Sequence, residues 1–233
     1  MEDFLNTGQA EDLPMAESSF TAYHWSGPGE TILFMHGWRS NSARWKQLIQ
    51  YFAEKEFNLV TIDAPGHGST ALPTFSPLDY AECLELTIRK YNPQYLICHS
   101  VGAYTALIHY GKYKPTGLKY ILLAPTYSMH QPIGTMFEIL HLNRRLQKAY
   151  IKFLEKKMGD ALETIQADHL VDENYPQGIL IHDINDKILP IEGSRALAKT
   201  AKGLKFIEIE NKGHRMQNDQ VHDLIKSFVN PSH

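Results

Sequence analysis

Six short apolar runs, each ending at turn-forming residues, constrain the fold of this chain more than any other feature. They cover residues 31–35, 58–62, 95–99, 118–123, 178–182 and 204–209. Continuous apolar runs of this length are typical of strands that are buried on both faces, as the strands of a parallel sheet are. The runs therefore predict a parallel sheet with both of its faces covered.

Segments with helical spacing separate the runs. Apolar side chains recur three and four positions apart in residues 42–55, 78–91, 100–110 and 216–229. Strands that alternate with helices of this length indicate βαβ units and an α/β fold, in which helices cover both faces of the sheet. A further strand is expected over residues 20–25, at the edge of the sheet. We predict a single domain over residues 1–233, since α/β folds often run this long as one domain.

Residues 127–176 break the alternation, because they contain no run with strand character. Two apolar stripes with helical spacing cross this segment, one formed by Leu142, Leu146, Ala149 and Phe153 and the other by Tyr150, Leu154, Met158, Leu162 and Ile165. Gly159 is expected to break or kink the helix. The segment leaves the carboxyl end of a strand, where α/β sheets place their sites. It is therefore predicted to be a helical lid, and helices that only pack on the sheet flank are the alternative.

Composition and charge argue against several classes of partner. The formal net charge of −3 does not suggest the concentrated basic surface that nucleic acids require. Two cysteines, Cys83 and Cys98, do not make a disulfide framework and favour a reducing compartment. No apolar run approaches the roughly 20 residues of a membrane span, and the acidic start lacks the order of a signal peptide. We expect a cytoplasmic protein that needs no metal or cofactor.

The sharpest chemical signal is the segment from Cys98 to Gly102, Cys-His-Ser-Val-Gly, in which an apolar run leads into Ser100 and a helix begins at once. A nucleophile elbow has this strand–turn–helix order, and its usual pattern is Gly-x-Ser-x-Gly. Cys98 replaces the first glycine and is still small. Ser100 is therefore the candidate nucleophile, and a serine that caps an ordinary helix is the alternative.

A serine nucleophile needs a base within hydrogen-bond reach and a third group that holds the base. His214 follows the last apolar run and a glycine, and it is the candidate base. Asp183 and Asp186 both follow the fifth run and could supply the carboxylate, since either one completes the chain order Ser, Asp, His. An aspartate that caps the helix near Ile191 is the structural alternative.

An oxyanion hole needs two backbone N–H groups aimed at the oxygen on which negative charge develops. Val101, directly after Ser100, is expected to supply one of them. The first apolar run ends in His36-Gly37-Trp38. Gly37 would let the backbone turn sharply so that Trp38 supplies the second N–H, and a plain turn at a strand end is the alternative.

Five segments together resemble the α/β-hydrolase superfamily, in the order typical of that superfamily: His36–Trp38, Asp63–Ser69, His99–Gly102, Asp186–Pro190 and Gly213–His214. The resemblance implies a mostly parallel sheet with an early antiparallel strand and a lid after the sixth strand. It also implies that Asp186 is the acid and that residues 63–69 form a structural turn.

The resemblance identifies no substrate. The first hypothesis is a serine hydrolase that cleaves a carboxylic ester or thioester of a small acyl substrate through an acyl-serine intermediate. A C–C bond hydrolase or lyase that uses the same three residues for proton transfer is the second. A non-catalytic ligand-binding protein of the same fold is the third. The sequence is compatible with a homodimer but does not specify the oligomeric state.

Overall fold

Eight strands form one sheet in the computed structural model, which describes residues 2–129, 133–134, 137, 140–158 and 166–230. The strands are β1 (Gln9–Met15), β2 (Ser18–Trp25), β3 (Thr31–Met35), β4 (Asn58–Ile62), β5 (Tyr95–His99), β6 (Lys119–Leu123), β7 (Gly178–Asp183) and β8 (Leu204–Ile209). Their order across the sheet is β1-β2-β4-β3-β5-β6-β7-β8. Strands β3 to β8 are parallel, whereas β2 is antiparallel to both β1 and β4. The predicted mostly parallel sheet with an early antiparallel strand is confirmed.

The helices whose bounds are described connect these strands. They are α1 (Glu2–Leu5), α2 (Lys46–Ala53), α3 (Pro77–Tyr91), α4 (Val101–Tyr113), α5 (Arg144–Met158), α6 (Glu192–Thr200) and α7 (Asp219–Val229). Two 3₁₀ turns, Ser42–Trp45 and Ala167–His169, accompany them. The helix predicted over residues 42–55 thus begins as a 3₁₀ turn, and α6 is the helix expected near Ile191.

Side chains of the central strands alternate between two apolar cores, because successive residues of a strand point to opposite faces. In β3, for example, Leu33 and Met35 belong to one core, and Ile32 and Phe34 belong to the other. Helices α3, α4 and α6 contribute to the first core, and α1, α2 and α7 contribute to the second. Helices therefore cover both faces of the sheet, as predicted, and the central strands are buried along nearly their whole length.

The prediction that the strand near residue 20 forms the sheet edge was wrong. Strand β1 pairs with β2 along its whole length and lies outside it. The β1 sequence, Gln-Ala-Glu-Asp-Leu-Pro-Met, buries only the Leu13 side chain fully. An edge strand with a solvated face needs few apolar side chains, so hydrophobic periodicity gave no signal for it.

The insertion between β6 and β7 contains helix α5 and the second 3₁₀ turn, and no strand occurs in its described part. Helical structure in this segment agrees with the two predicted stripes. The break expected at Gly159 and the positions of Leu162 and Ile165 lie outside the described residues. The insertion begins at the carboxyl end of β6, next to the carboxyl end of β5 and Ser100.

Candidate active site

Ser100 lies between the last residue of β5 and the first residue of α4, in a backbone conformation with φ 54° and ψ −120°. Residues other than glycine adopt a positive φ only at an energetic cost, and such strain is common at functional sites. The Ser100 N–H donates to the carbonyl of Leu123 at 2.9 Å, which holds the turn against β6. A Cβ on Gly102 would lie 2.5 Å from the His36 carbonyl oxygen, so the elbow requires glycine there. Cys98 is fully buried in the core.

The structure brings three of the predicted site residues together. The Ser100 Oγ lies 3.0 Å from Nε2 of His214, and Nδ1 of His214 lies 2.8 Å from Oδ2 of Asp186. Because a carboxylate only accepts hydrogen bonds, Nδ1 of His214 carries the hydrogen and Nε2 is free to accept from the serine hydroxyl. A hydroxyl, an imidazole and a carboxylate in this order can transfer the hydroxyl proton to the imidazole.

The Asp186 carboxylate is fully buried and accepts several hydrogen bonds. Its Oδ1 accepts from the N–H groups of Ile188 and Leu189, at 2.8 and 3.0 Å, and its Oδ2 is shared by His214 and His182. Burial by itself would raise the pKa of the Asp186 carboxyl, but hydrogen bonds from His182, His214 and Leu189 hold this pKa well below its usual value. The group is therefore a carboxylate at neutral pH.

Sequence reasoning missed His182. Its Nε2 lies 3.0 Å from the Leu189 carbonyl and 3.2 Å from Asp186 Oδ2, and its Nδ1 lies 2.7 Å from the Ser194 hydroxyl. Because both partners of Nε2 are acceptors, Nε2 carries the hydrogen and Nδ1 accepts from the hydroxyl. His182 therefore helps to fix the Asp186 carboxylate by contacting the same oxygen, Oδ2, as His214. Its position near the end of β7, four residues before Asp186, is the sequence feature that could have indicated this role.

Asp183, the other candidate acid, contacts the backbone of the histidine loop instead of the imidazole. Its Oδ2 accepts from the N–H groups of Lys212 and Gly213, and its Oδ1 accepts from Asn185 N–H at 2.7 Å. Burial would raise the pKa of the Asp183 carboxyl, but these backbone hydrogen bonds lower it. Asp183 thus fastens the loop that carries His214 to the end of β7.

The segment after β3 passes close to the elbow. A Cβ on Gly37 would lie 2.9 Å from Ser100 Cβ, so this close approach requires glycine. No hydrogen bond within the described residues uses the N–H of Trp38. As the first residue of α4, Val101 has an N–H with no partner inside the helix. Both N–H groups are therefore available to an oxygen bound beside Ser100.

His67 supports this loop from the turn after β4. Its Nε2 accepts from the Arg39 N–H at 3.1 Å, and its ring packs edge-on against Trp38 with 5.2 Å between centroids. In the same turn, the Asp63 carboxylate accepts from Ser69 N–H, and Gly68 has a φ of +54° with no room for a Cβ beside that carboxylate. These contacts agree with the structural turn expected for residues 63–69.

His36 is fully buried behind the same loop. Its Nδ1 donates to the Gly37 carbonyl at 2.8 Å, and its Nε2 accepts from Ala64 N–H at 2.9 Å. Burial lowers the pKa of His36 from 6.5 to about 4, although the nearby Asp63 carboxylate acts in the opposite direction. The ring is therefore neutral at pH 7 and joins the turns after β3 and β4.

This burial predicts a loss of stability in mild acid. The unfolded chain binds a proton at His36 below about pH 6.5, whereas the folded chain does so only near pH 4, so the free energy of unfolding falls as the pH drops through that window. The contribution of His36 is up to about 3 kcal/mol. Urea unfolding between pH 7 and pH 4 should show a shallower pH slope for His36→Asn than for the unmodified chain. Equal slopes would contradict this assignment.

A buried pair that sequence reasoning missed connects the elbow to the histidine loop. His99 Nε2 donates to the backbone carbonyl of His214 at 2.8 Å, and the Arg44 guanidinium donates to His99 Nδ1 at 2.6 Å. Arg44 also donates to the carbonyl of Arg215 at 2.8 Å. Burial, together with the Arg44 charge, holds the pKa of His99 well below its usual value. A neutral His99 of fixed tautomer therefore positions the backbone of His214 relative to Ser100.

A narrow apolar cleft begins at Trp38. It is lined by Trp38, Phe75, Pro77, Met129, Ile133, Tyr150 and Leu154. Its volume of about 20 Å³ has room for about one water molecule. Because Tyr150 and Leu154 belong to α5, the inner face of that helix forms one wall of the cleft.

The described residues contain no group of three His, Cys, Asp or Glu side chains that could hold a metal ion. Within the same part of the chain, no helix combines the length and the apolar character needed to cross a bilayer.

Comparison with known proteins identifies the family of this chain. The sequence model of the Hydrolase_4 family, described as serine aminopeptidase, S33, matches residues 26–183, which is more than half of the chain. The chain belongs to this family, and with it to the α/β-hydrolase superfamily. The predicted superfamily resemblance is thereby confirmed.

Individual relatives of this α/β-hydrolase are distant. Monoacylglycerol lipase ABHD6 of Mus musculus is 25% identical over 86% of this chain and 59% of its own length. The 2-(acetamidomethylene)succinate hydrolase of Mesorhizobium japonicum is 25% identical over 77% of this chain and 64% of its own length. The chain thus spans less than two thirds of either relative. The esterase EaEST of Exiguobacterium antarcticum superposes with a TM-score of 0.75 over 95% of this chain and 98% of its own, at 14% identity, and shares the fold.

Proposed function

We propose that this protein is a serine hydrolase that cleaves a carboxylic ester or thioester of a small acyl substrate. One observation carries the proposal: the Ser100 hydroxyl, the His214 imidazole and the Asp186 carboxylate form a continuous hydrogen-bonded series, with distances of 3.0 and 2.8 Å. In this arrangement a serine becomes a nucleophile at neutral pH. The mouse relative, a monoacylglycerol lipase, supports an ester as the substrate.

In the first half of the reaction, Ser100 Oγ attacks the carbonyl carbon of the substrate while His214 Nε2 takes the hydroxyl proton. Asp186 stabilises the imidazolium that results and holds its orientation. The carbonyl oxygen becomes an oxyanion, which accepts hydrogen bonds from the N–H groups of Trp38 and Val101. The intermediate then expels the alcohol or thiol, which receives its proton from His214, and the acyl group stays on Ser100.

Water completes the cycle by the same steps. His214 Nε2 takes a proton from the water molecule, and the oxygen attacks the acyl carbon. The second intermediate releases Ser100, which regains its proton from His214, and a carboxylic acid leaves. No cofactor takes part in either half. We also propose a cytoplasmic location, which is supported by Cys83 and Cys98, since both are buried and unpaired.

The purified chain tests this proposal on a panel of acyl esters and thioesters, followed by labelling with a fluorophosphonate. Turnover together with a single label on Ser100 is the expected result. Labelling without turnover of any ester or thioester would favour a C–C bond hydrolase or lyase. Neither labelling nor turnover would favour a ligand-binding protein of this fold.

We further propose that the insertion over residues 127–176 is a lid that limits acyl length. Tyr150→Ala should widen the cleft and raise kcat/KM for a hexanoyl ester relative to an acetyl ester by roughly tenfold, since each methylene that a pocket accommodates is worth at least that much discrimination. Phe153→Ala is the matched control, because this aromatic ring lies on the same helix but does not line the cleft. A ratio unchanged by Tyr150→Ala would favour helices that only pack on the sheet flank.

A further inference from the structure

Exposed apolar side chains are concentrated on one side of the molecule. Among the described residues, the large apolar side chains that are exposed are Trp38, Leu140, Leu146, Phe153, Ile184 and Ile188. Every one of them follows the carboxyl end of β3, β6 or β7. All therefore belong to segments that start where the parallel strands end. An exposed apolar patch of this kind marks an interaction surface more often than scattered single residues do.

Helix α5 and the residues just before it contribute three of these side chains. Phe153 is 60% exposed and Leu146 is 51% exposed, and Leu140, just before the helix, is 57% exposed. Leu146 and Phe153 are seven positions apart and therefore lie on one side of the helix. The inner face of the same helix carries Tyr150 and Leu154, which line the cleft. Leu146 and Phe153 therefore point away from this inner face and are not buried by the packing of the helix.

The outer face of α5 is also strongly basic. The helix contains six basic residues and one acidic residue, in a chain whose formal net charge is −3. Arg145, Lys148, Lys152 and Lys156 are all exposed. None of the four forms an ion pair with another described residue, whereas lysines elsewhere, such as Lys114 with Asp172, do. Positive charge without an ion-pair partner among the described residues favours an anionic partner.

The apolar side chains of the outer face lead into the cleft. The ring of Phe153 lies 6.5 Å from that of Tyr150, centroid to centroid, and Tyr150 lines the cleft together with Trp38. An apolar path thus runs from the most exposed ring of α5 to the loop beside Ser100.

We propose that the outer face of α5, formed by Leu146 and Phe153 with Arg145, Lys148, Lys152 and Lys156, docks onto an anionic phospholipid surface. Helices with a basic face and large apolar side chains beside it lie in the interface between headgroups and acyl chains. Docking in this way presents the cleft to amphiphilic molecules in the same layer. The docking itself does not depend on the proposed hydrolysis, and it can be measured without turnover.

The shape and chemistry of the face favour lipid over an acidic protein. Leu146 and Phe153 project from a single convex helix, which suits insertion between headgroups. Three of the four exposed basic residues on this face are lysines, which act as point charges and do not impose the planar, bidentate geometry of arginine. Point charges of this kind suit a fluid anionic membrane, because each lysine or arginine near the membrane surface adds to the affinity of the protein for it.

The experiment is co-sedimentation of the full chain with vesicles of phosphatidylcholine alone and with vesicles in which part of it is replaced by phosphatidylglycerol. Binding is expected only to the second kind and should weaken at high salt. Lys152→Gln with Lys156→Gln should lower the affinity on the order of tenfold. Leu146→Ser with Phe153→Ser should also lower it, because the apolar contribution is lost.

Lys202→Gln with Lys205→Gln is the matched control. Both lysines are exposed near the amino end of β8, whereas α5 belongs to a segment that leaves the carboxyl end of a strand. This pair should leave vesicle binding unchanged. Absence of binding to phosphatidylglycerol vesicles, or an equal loss in the control, would overturn the proposal. Polyglutamate serves as an acidic polypeptide probe. If it bound to this face while neither serine substitution affected vesicle binding, an acidic protein would replace lipid as the partner.

Discussion

Replacement of Ser100 by alanine is expected to lower the turnover of any ester substrate by on the order of 10³-fold or more, with folding unchanged. The hydroxyl is the attacking group in the proposed mechanism, and its one side-chain hydrogen bond to a described residue is the 3.0 Å contact with His214 Nε2. Its side chain caps no N–H of α4, so alanine removes no structural hydrogen bond from the helix. Initial rates on one ester and thermal unfolding of the same preparations measure both effects.

Ser76→Ala is the matched control for this substitution. Ser76 is the N-cap of α3, and its hydroxyl accepts from the N–H of Asp79. Loss of such a cap costs about 1 kcal/mol of stability, so this variant should be less stable but retain its activity. Ser100→Ala should show the opposite pattern. Near-full activity in Ser100→Ala would exclude Ser100 as the nucleophile and leave it with a structural role at the start of α4.

Replacement of Asp186 by asparagine should lower kcat by about 10⁴-fold. The amide oxygen can keep the hydrogen bonds from Ile188 and Leu189, but the amide NH₂ group then faces the ring nitrogens of His182 and His214. Two donors cannot share a hydrogen bond. His214 would have to accept at Nδ1 and carry its hydrogen on Nε2, where it could no longer accept the serine proton.

Asp183→Asn provides the comparison on the same ester. This side chain accepts from the backbone of Lys212 and Gly213 and does not contact the imidazole. An amide there should loosen the histidine loop, so we expect a lower free energy of unfolding and a smaller loss of kcat than in Asp186→Asn. The reverse ranking of kcat would assign the acid to Asp183. Measuring both variants for stability as well as rate separates loss of the loop from loss of the carboxylate.

Much of the fold could be predicted because the central strands are buried on both faces. Such strands are apolar at most positions, and four of the predicted runs, such as residues 31–35 and 95–99, have the bounds of the observed strands. Strand β1 could not be predicted in the same way, since only Leu13 is fully buried along it. Apolar pattern reports burial, and where an edge strand is solvated the pattern contains no information about pairing.

The candidate site, like the fold, could be predicted only in part. Ser100 and His214 were identified from local order along the chain, a strand followed by a turn and a helix in one case and a loop after the last strand in the other. The residues alone did not decide between Asp183 and Asp186 as the acid, because both lie at the carboxyl end of β7, Asp183 as its last residue and Asp186 in the loop beyond it. The geometry separates them, since Oδ2 of Asp186 lies 2.8 Å from the imidazole whereas Asp183 accepts from the backbone of the same loop.

The sequence by itself therefore determined the buried parallel strands, the elbow and the order of the site residues, because these depend on neighbours along the chain. Only the tertiary structure decided which partners meet. Ser100 and His214 are 114 positions apart, and Arg44 reaches the carbonyl of Arg215 across 171. The two apolar stripes of α5 are equally apolar in sequence, yet Tyr150 and Leu154 face the cleft and Phe153 faces solvent. Helical periodicity defines the faces of a helix, but which face packs inward depends on the surface that receives it.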